Sequence, residues 1–344
     1  MFAYGVMAWK GLAMRIVFHV GMGKTGTSSI QQALAANKAA LAARHAHYLG
    51  MWFNEIAPRF RGYAGLAAFA AEPAEAQQRH AEAFVAACAR HDPAEDTTFI
   101  LSNEGLFGHS AHLAPFFQAL IAVAQVRFIV YVRPPRDWLP SAFTQWSIYH
   151  KQQKGPIQPF HERARQLIGQ YHGVSGWLDN FEPHLLIRRF DKTTDIVADF
   201  ADALGLPLEP LQQRSLERSE PAEVVLRALY NGRFESPTLP ERFDNQMFNT
   251  RRNAVTPLKQ VMDLCFAYEE MDEIIGERRT LFDAIARRTG INLLDEGGVA
   301  SAPPPAADAV RERLLDYVIA ISIEQSLRIN RLERRLEALE KGDD

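Results

Sequence analysis

Short apolar runs alternate with longer stretches of helical period along the first two hundred residues. Arg15-Ile16-Val17-Phe18-His19-Val20 is apolar on both alternating faces and rich in β-branched residues, which predicts a strand covered on both sides. A glycine-rich turn, Gly21 to Gly26, follows it, and an Ala/Leu/Gln/Lys stretch from Thr27 to about Arg44 predicts a helix. Residues 62–93 are alanine-rich and helical in period, and Thr97–Leu101 reads as a second strand ending at Ser102-Asn103-Glu104. A helix near 111–124 leads to a third strand, Val126–Val132, which Arg133-Pro134-Pro135 stops. Asp137 to His150 reads as a helix, Leu185–Ile187 as a fourth strand, and Thr194–Leu204 as a helix closed by Gly205 and Pro207. This alternation predicts an α/β fold, a doubly wound parallel sheet with helices on both faces.

Strand signals fade after about residue 215. Residues 220–232 and 257–289 are helical in pattern, and Ala302-Pro303-Pro304-Pro305 marks a linker. The tail from Ala309 to about Lys341 predicts one long helix, with Leu315, Val318, Ile329, Leu332, Leu336 and Leu339 in heptad positions interrupted by Ser322 and Gln325. Packing on its own domain and a homo-oligomeric coiled coil are equal readings of that tail. The expected organisation is a nucleotide-binding core over 14–210, a helical extension packed on the core over 211–300, and a linker with the long helix over 301–344.

Composition narrows the classes. The 344 residues are 47% hydrophobic and 23% charged, enough apolar material for a sizeable core and too much for a disordered chain. Two distant cysteines, Cys88 and Cys265, make neither a disulfide framework nor a metal spacing, so a cytoplasmic setting is expected. No run approaches the length of a membrane span. The lead Met1–Met14 has the single cation Lys10 and lacks a signal peptide's pattern; it is read as an extra lead, with Met14 an alternative start.

The net charge of −3 argues against a nucleic-acid surface, yet it averages unlike segments. Residues 14–61 hold six basic and one acidic residue, and 127–192 hold ten and five, so each is +5. Both segments contain glycine- or proline-marked strand ends where an anion could be held.

Gly21-Met22-Gly23-Lys24-Thr25-Gly26-Thr27-Ser28-Ser29 carries most of the chemistry. A glycine turn opening a helix gathers backbone N–H groups and the positive end of the helix dipole, both suited to phosphate. Lys24 adds charge, and Thr25, Thr27 and Ser28 add hydroxyls. The bland alternative is a turn that only tightens packing. Gly21, Gly23 and Gly26 match the dinucleotide spacing, but no acid lies between Leu41 and Gly50, and Glu55 is read as having no strand before it. Gly23-Lys24-Thr25 matches the end of a Walker A loop, whose earlier glycine is here replaced by Phe18 inside the strand. No strand ends in a magnesium-binding Asp.

The same segment resembles the 5′-phosphosulfate loop of sulfotransferases that use 3′-phosphoadenosine 5′-phosphosulfate (PAPS), with Gly23 standing where that family usually has proline. A second segment agrees: the family's 3′-phosphate motif is a strand ending in Arg with a Ser eight positions on, matched by Arg133 and Ser141. The resemblance covers about 15–210 and is nearest to the bacterial branch. It implies a P-loop-like core and PAPS as co-substrate without a metal. Gly23, Lys24, Thr25, Gly26, Thr27 and Ser28 would hold the 5′-phosphate, and Arg133 and Ser141 the 3′-phosphate. It further implies Lys24 stabilising the leaving group, and an acceptor hydroxyl or amine on a small molecule, lipid or glycan.

Glu104 is the expected base, placed at the sheet edge near Lys24, against the alternative of a solvated or helix-capping acid; His109 and His112 are runners-up. His19 is read as structural, and Trp146, Tyr149 and His150 as core residues or an acceptor surface. A small-molecule kinase or NTPase with a degenerate loop, and a non-catalytic nucleotide-binding scaffold, remain the alternatives.

Overall fold

The computed structural model describes residues 14–94, 96–191, 193, 195–209, 221–246, 257–294 and 305–340. The N-terminal lead and most of the proline linker lie outside them. The chain divides into two compact units: residues 1–138, 168–217 and 275–300 form the first, and 139–167, 218–274 and 301–344 the second.

The first unit is built on a parallel sheet of five strands: β1 (Arg15–His19), β2 (Ala46–Gly50), β3 (Thr98–Ser102), β4 (Gln125–Val132) and β5 (Leu185–Arg189), in the order β2-β3-β1-β4-β5. Helices α1 (Thr27–Ala36), α2 (Ala74–His91), α3 (Ala114–Val123), α4 (Pro135–Phe143), α5 (His172–Phe181), α6 (Ile196–Leu204) and α7 (Arg279–Thr289) accompany it, α4 continuing into the second unit. Side chains alternate across β1, as a two-residue period requires. Val17 joins Ile30, Leu34, Ile100, Ile129, Ile196 and Phe200 beneath α1 and α6. Phe18 faces the opposite layer, with Phe84 at 6.2 Å, Phe117 at 5.1 Å and Phe128 at 5.7 Å between ring centroids. Trp177 of α5 closes that layer at 4.8 Å from Phe128. The sheet is therefore covered on both faces, and the predicted doubly wound α/β class holds.

Two expectations change. Ala46–Gly50 is a fifth strand, so Glu55 does follow one, although the strand ends at Gly50 and offers no acid there. The helix expected over Asp137–His150 stays regular only to Phe143 and then loosens into a π-helical stretch, Thr144–Tyr149. Pro140 within α4 lacks the N–H that would bond back, which accounts for the local change.

Within the second unit, helix Pro221–Asn231 packs against the π-helical stretch, where Asn231 Nδ2 donates to the Ile148 carbonyl at 2.6 Å. The buried Lys151 amine is held by the carbonyls of Gly155 and Phe234. The long C-terminal helix spans Ala307–Glu340.

Candidate anion site at the carboxyl edge of the sheet

The chain leaves β1 for β3's side of the sheet, while the connection after β4 runs the other way. Strands β1 and β4 therefore flank a topological switch point, where the loops beyond the strands part and leave a crevice. Both loops singled out by sequence open there.

The first loop is folded by its own carbonyls. Thr25 Oγ1 donates to Met22 O at 2.5 Å, Trp138 Nε1 to Gly23 O at 2.8 Å, and Arg133 Nη1 to Lys24 O at 3.2 Å. A planar trans peptide sets each following N–H opposite its carbonyl. Tying three successive carbonyls to the protein thus aims the N–H groups of Gly23, Lys24 and Thr25 the other way. Lys24 (φ 67°) and Gly26 (φ 86°) are both left-handed, which brings the turn round into α1. For Lys24 that conformation costs about 1 kcal/mol, a strain of the kind concentrated at functional loops.

Gly26 sits at the helix start without a side-chain cap, and a Cβ there would approach Ile196 Cγ1 to 2.9 Å. Gly26→Ala combines the left-handed penalty with that clash, and should lower stability by roughly 2 kcal/mol in a urea titration. Thr27, almost buried at the first turn, has a hydroxyl with no hydrogen-bond partner among the described residues. Ser28 is exposed. The Thr25 hydroxyl is spent inside the loop, so what Thr25 can offer a ligand is its backbone N–H.

Burial, and secondly the Arg133 charge, hold the Lys24 amine below its ordinary pKa. Beneath the turn His19 is wholly buried, its pKa driven down to about 3 by desolvation, with Nδ1 2.8 Å from Ser102 Oγ. It is a neutral core group, as read from sequence. A Cβ on Gly21 would reach His19 Nε2 at 2.7 Å, so glycine lets the turn lie directly on the imidazole.

Arg133 follows β4. Its carbonyl accepts from the Tyr171 hydroxyl, its guanidinium lies 5.6 Å from the Phe190 ring, and Trp138 stacks edge-on to Tyr171 at 5.4 Å. Lys24 and Arg133 thus come from opposite sides of the crevice into electrostatic range. Ser141, half-buried, lies on the part of α4 assigned to the second unit, which also contains Trp146, Tyr149 and His150. The Tyr149 ring is faced by Arg227 at 4.4 Å, which leaves less of it for a ligand.

Glu104 follows β3, whose residue Ser102 pairs with His19 of β1. The Asn103 side chain accepts from Gly105 N–H at 2.8 Å and donates to Met51 O at 2.8 Å, fixing the strand exit. Gln31 of α1 donates to Glu104 Oε2 at 3.2 Å and to Ser102 O at 3.0 Å. Tyr48 and Tyr63 both have raised pKa values, Tyr48 to about 12, from burial first and from the Glu104 charge second. Tyr63 is 63% exposed and meets Trp52 edge-on at 5.1 Å. His109 is lowered by burial and by His112, 5.8 Å away between rings. Gln31, Tyr48, Trp52, Tyr63 and Trp138 escaped the sequence reading. Only Gln31 carried a usable signal, four residues beyond Thr27 and so on the same helix face.

Among the described residues, no group of three or more His, Cys, Asp or Glu side chains could hold a metal. None of their helices is long and apolar enough to cross a membrane.

No protein-family model matches the chain, and no curated protein matches it. Among solved structures, a sulfotransferase from Alicyclobacillus acidocaldarius is similar at 18% identity and TM-score 0.33, over 62% of this chain and 94% of that one. The sulfotransferase domain from the curacin biosynthetic pathway is similar at 9% identity and TM-score 0.33, over 77% and 99%. Likeness this loose shows neither family nor activity.

Proposed function

We propose that the protein is a sulfotransferase that moves the sulfuryl group of PAPS to a hydroxyl or amine of an acceptor. The observation that carries the reading is the meeting of Lys24 and Arg133 across the switch-point crevice, over a glycine turn whose tethered carbonyls aim successive N–H groups outward. A buried lysine whose charge a neighbouring guanidinium further disfavours is best accommodated by an anion between the two. The Thr27 hydroxyl, which has no hydrogen-bond partner among the described residues, fits a phosphate resting on the start of α1.

PAPS supplies the activated sulfuryl group. The chain's own residues do the rest. The N–H groups of Gly23 to Thr27 and the Ser28 hydroxyl bind the 5′-phosphate, and the Arg133 guanidinium binds the 3′-phosphate as a forked donor. Lys24 neutralises the bridging oxygen that gains charge as its bond to sulfur breaks. Glu104 takes the acceptor proton as the new oxygen–sulfur or nitrogen–sulfur bond forms, and Gln31 holds the carboxylate in place. Tyr63 and Trp52, beside Glu104, offer an exposed aromatic corner for the acceptor.

Thermal unfolding with ligands tests the reading. Adenosine 3′,5′-bisphosphate at 100 times its Kd should stabilise the fold by about 2.7 kcal/mol. ATP–magnesium and NAD at equal concentration should do far less. Equal stabilisation by ATP–magnesium would favour a kinase or NTPase with a degenerate loop. Product formation from radiolabelled PAPS and a cell extract would then name the acceptor.

A further inference from the structure

The long helix Ala307–Glu340 is covered only in part. Val310 is buried, and Leu314, Tyr317, Ile321 and Gln325 are half-buried along one face within the second unit. A second stripe stays open: Leu315 is 60% exposed, Ile329 54% and Leu332 50%. From Ser326 to Arg335 every side chain is exposed. A free helical end of this length is marginal in water, so it needs a partner.

The sequence says which one. Leu315, Val318, Ser322, Gln325, Ile329, Leu332, Leu336 and Leu339 fall at alternating spacings of three and four, the a and d positions of four heptads. The flanking positions are charged in the second half. Arg328 and Arg335 occupy g, and Glu333 and Glu340 occupy e. In a parallel pair, each g residue faces the e residue five positions on in the other helix. Arg328 then meets the other copy's Glu333, and Arg335 its Glu340. An antiparallel pair sets g against g and e against e, Arg on Arg and Glu on Glu. Ser322, exposed, places a polar group at one level of the seam, a device that holds register at some loss of stability.

We infer that the occupant of the open stripe is a second copy of this helix, forming a parallel, in-register, two-stranded coiled coil. The seam includes Leu315, Val318, Ile329 and Leu332, all left exposed by the second unit, and the charge pattern selects orientation.

Sedimentation equilibrium on the full chain tests this. Wild type should be a dimer, and Ile329→Asp with Leu332→Asp a monomer. Arg328→Glu with Arg335→Glu puts Glu against Glu and should weaken the dimer by about tenfold or more. Adding Glu333→Arg and Glu340→Arg to that variant should restore it, which a merely misfolded helix would not do. Leu339→Cys should oxidise to a covalent dimer, since only the parallel register brings the two positions together and the native Cys88 and Cys265 are buried. A monomer at every concentration, a charge reversal without effect, failure of the fourfold variant to recover, or a dimer that Leu339→Cys does not cross-link would overturn the inference.

Discussion

Lys24→Ala should leave a folded protein whose sulfuryl transfer is slower by roughly 10²–10³-fold, the loss found when one group stabilising a developing charge is removed. The side chain is half-buried and the turn is held through its backbone, by Thr25, Trp138 and Arg133, so the fold does not depend on the amine. The fall should appear in kcat at saturating donor, because the proposed mechanism has Lys24 act most on charge that arises during transfer. Undiminished activity would end the proposed mechanism. The pH dependence gives a second reading of the same residue. Burial and Arg133 lower the Lys24 pKa in the free protein, and a bound dianion would raise it again. Between the two values, binding takes up a proton, so bisphosphate affinity should fall as pH rises through that window. Calorimetry in buffers of different ionisation enthalpy would detect the uptake, and Lys24→Ala should abolish it.

Glu104→Gln should reduce transfer by about 10²–10⁴-fold and leave bisphosphate affinity within a factor of two or so, since an amide keeps the hydrogen-bonding shape and loses the base. Titration by thermal shift separates the two effects. The same variant removes the carboxylate charge that raises the pKa values of Tyr48 and Tyr63, so the phenol titration of both should move down. A Glu104→Gln enzyme with full activity would pass the role to His109 or His112, whose variants would then be measured.

Three of the strands could be read beforehand because their sequence reports burial directly. β1, β3 and β4 lie inside the sheet, and two covered faces leave an unbroken apolar run. β2 is an edge strand of five residues, only its first side chain fully buried, and Ala46-His47-Tyr48-Leu49-Gly50 alternates nothing. Helix α5 is hidden for another reason. Gly173 and Gly176 lower intrinsic helix propensity, yet they permit close packing: a Cβ would lie 2.5 Å from the Phe107 ring and 2.7 Å from Ser110 Oγ. Lys24 and Arg133 could be singled out because their motifs are local. Trp138 reaching Gly23, and Gln31 reaching Glu104, span 115 and 73 residues, and no local pattern records such partners.

The tethered carbonyls of the glycine turn have a thermodynamic corollary. A loop already fixed by hydroxyl, indole and guanidinium has lost its conformational freedom during folding, so an incoming anion orders little of it. Recognition at this edge should then resemble a key entering a made lock, with a modest entropy penalty and an association rate governed by encounter rather than rearrangement.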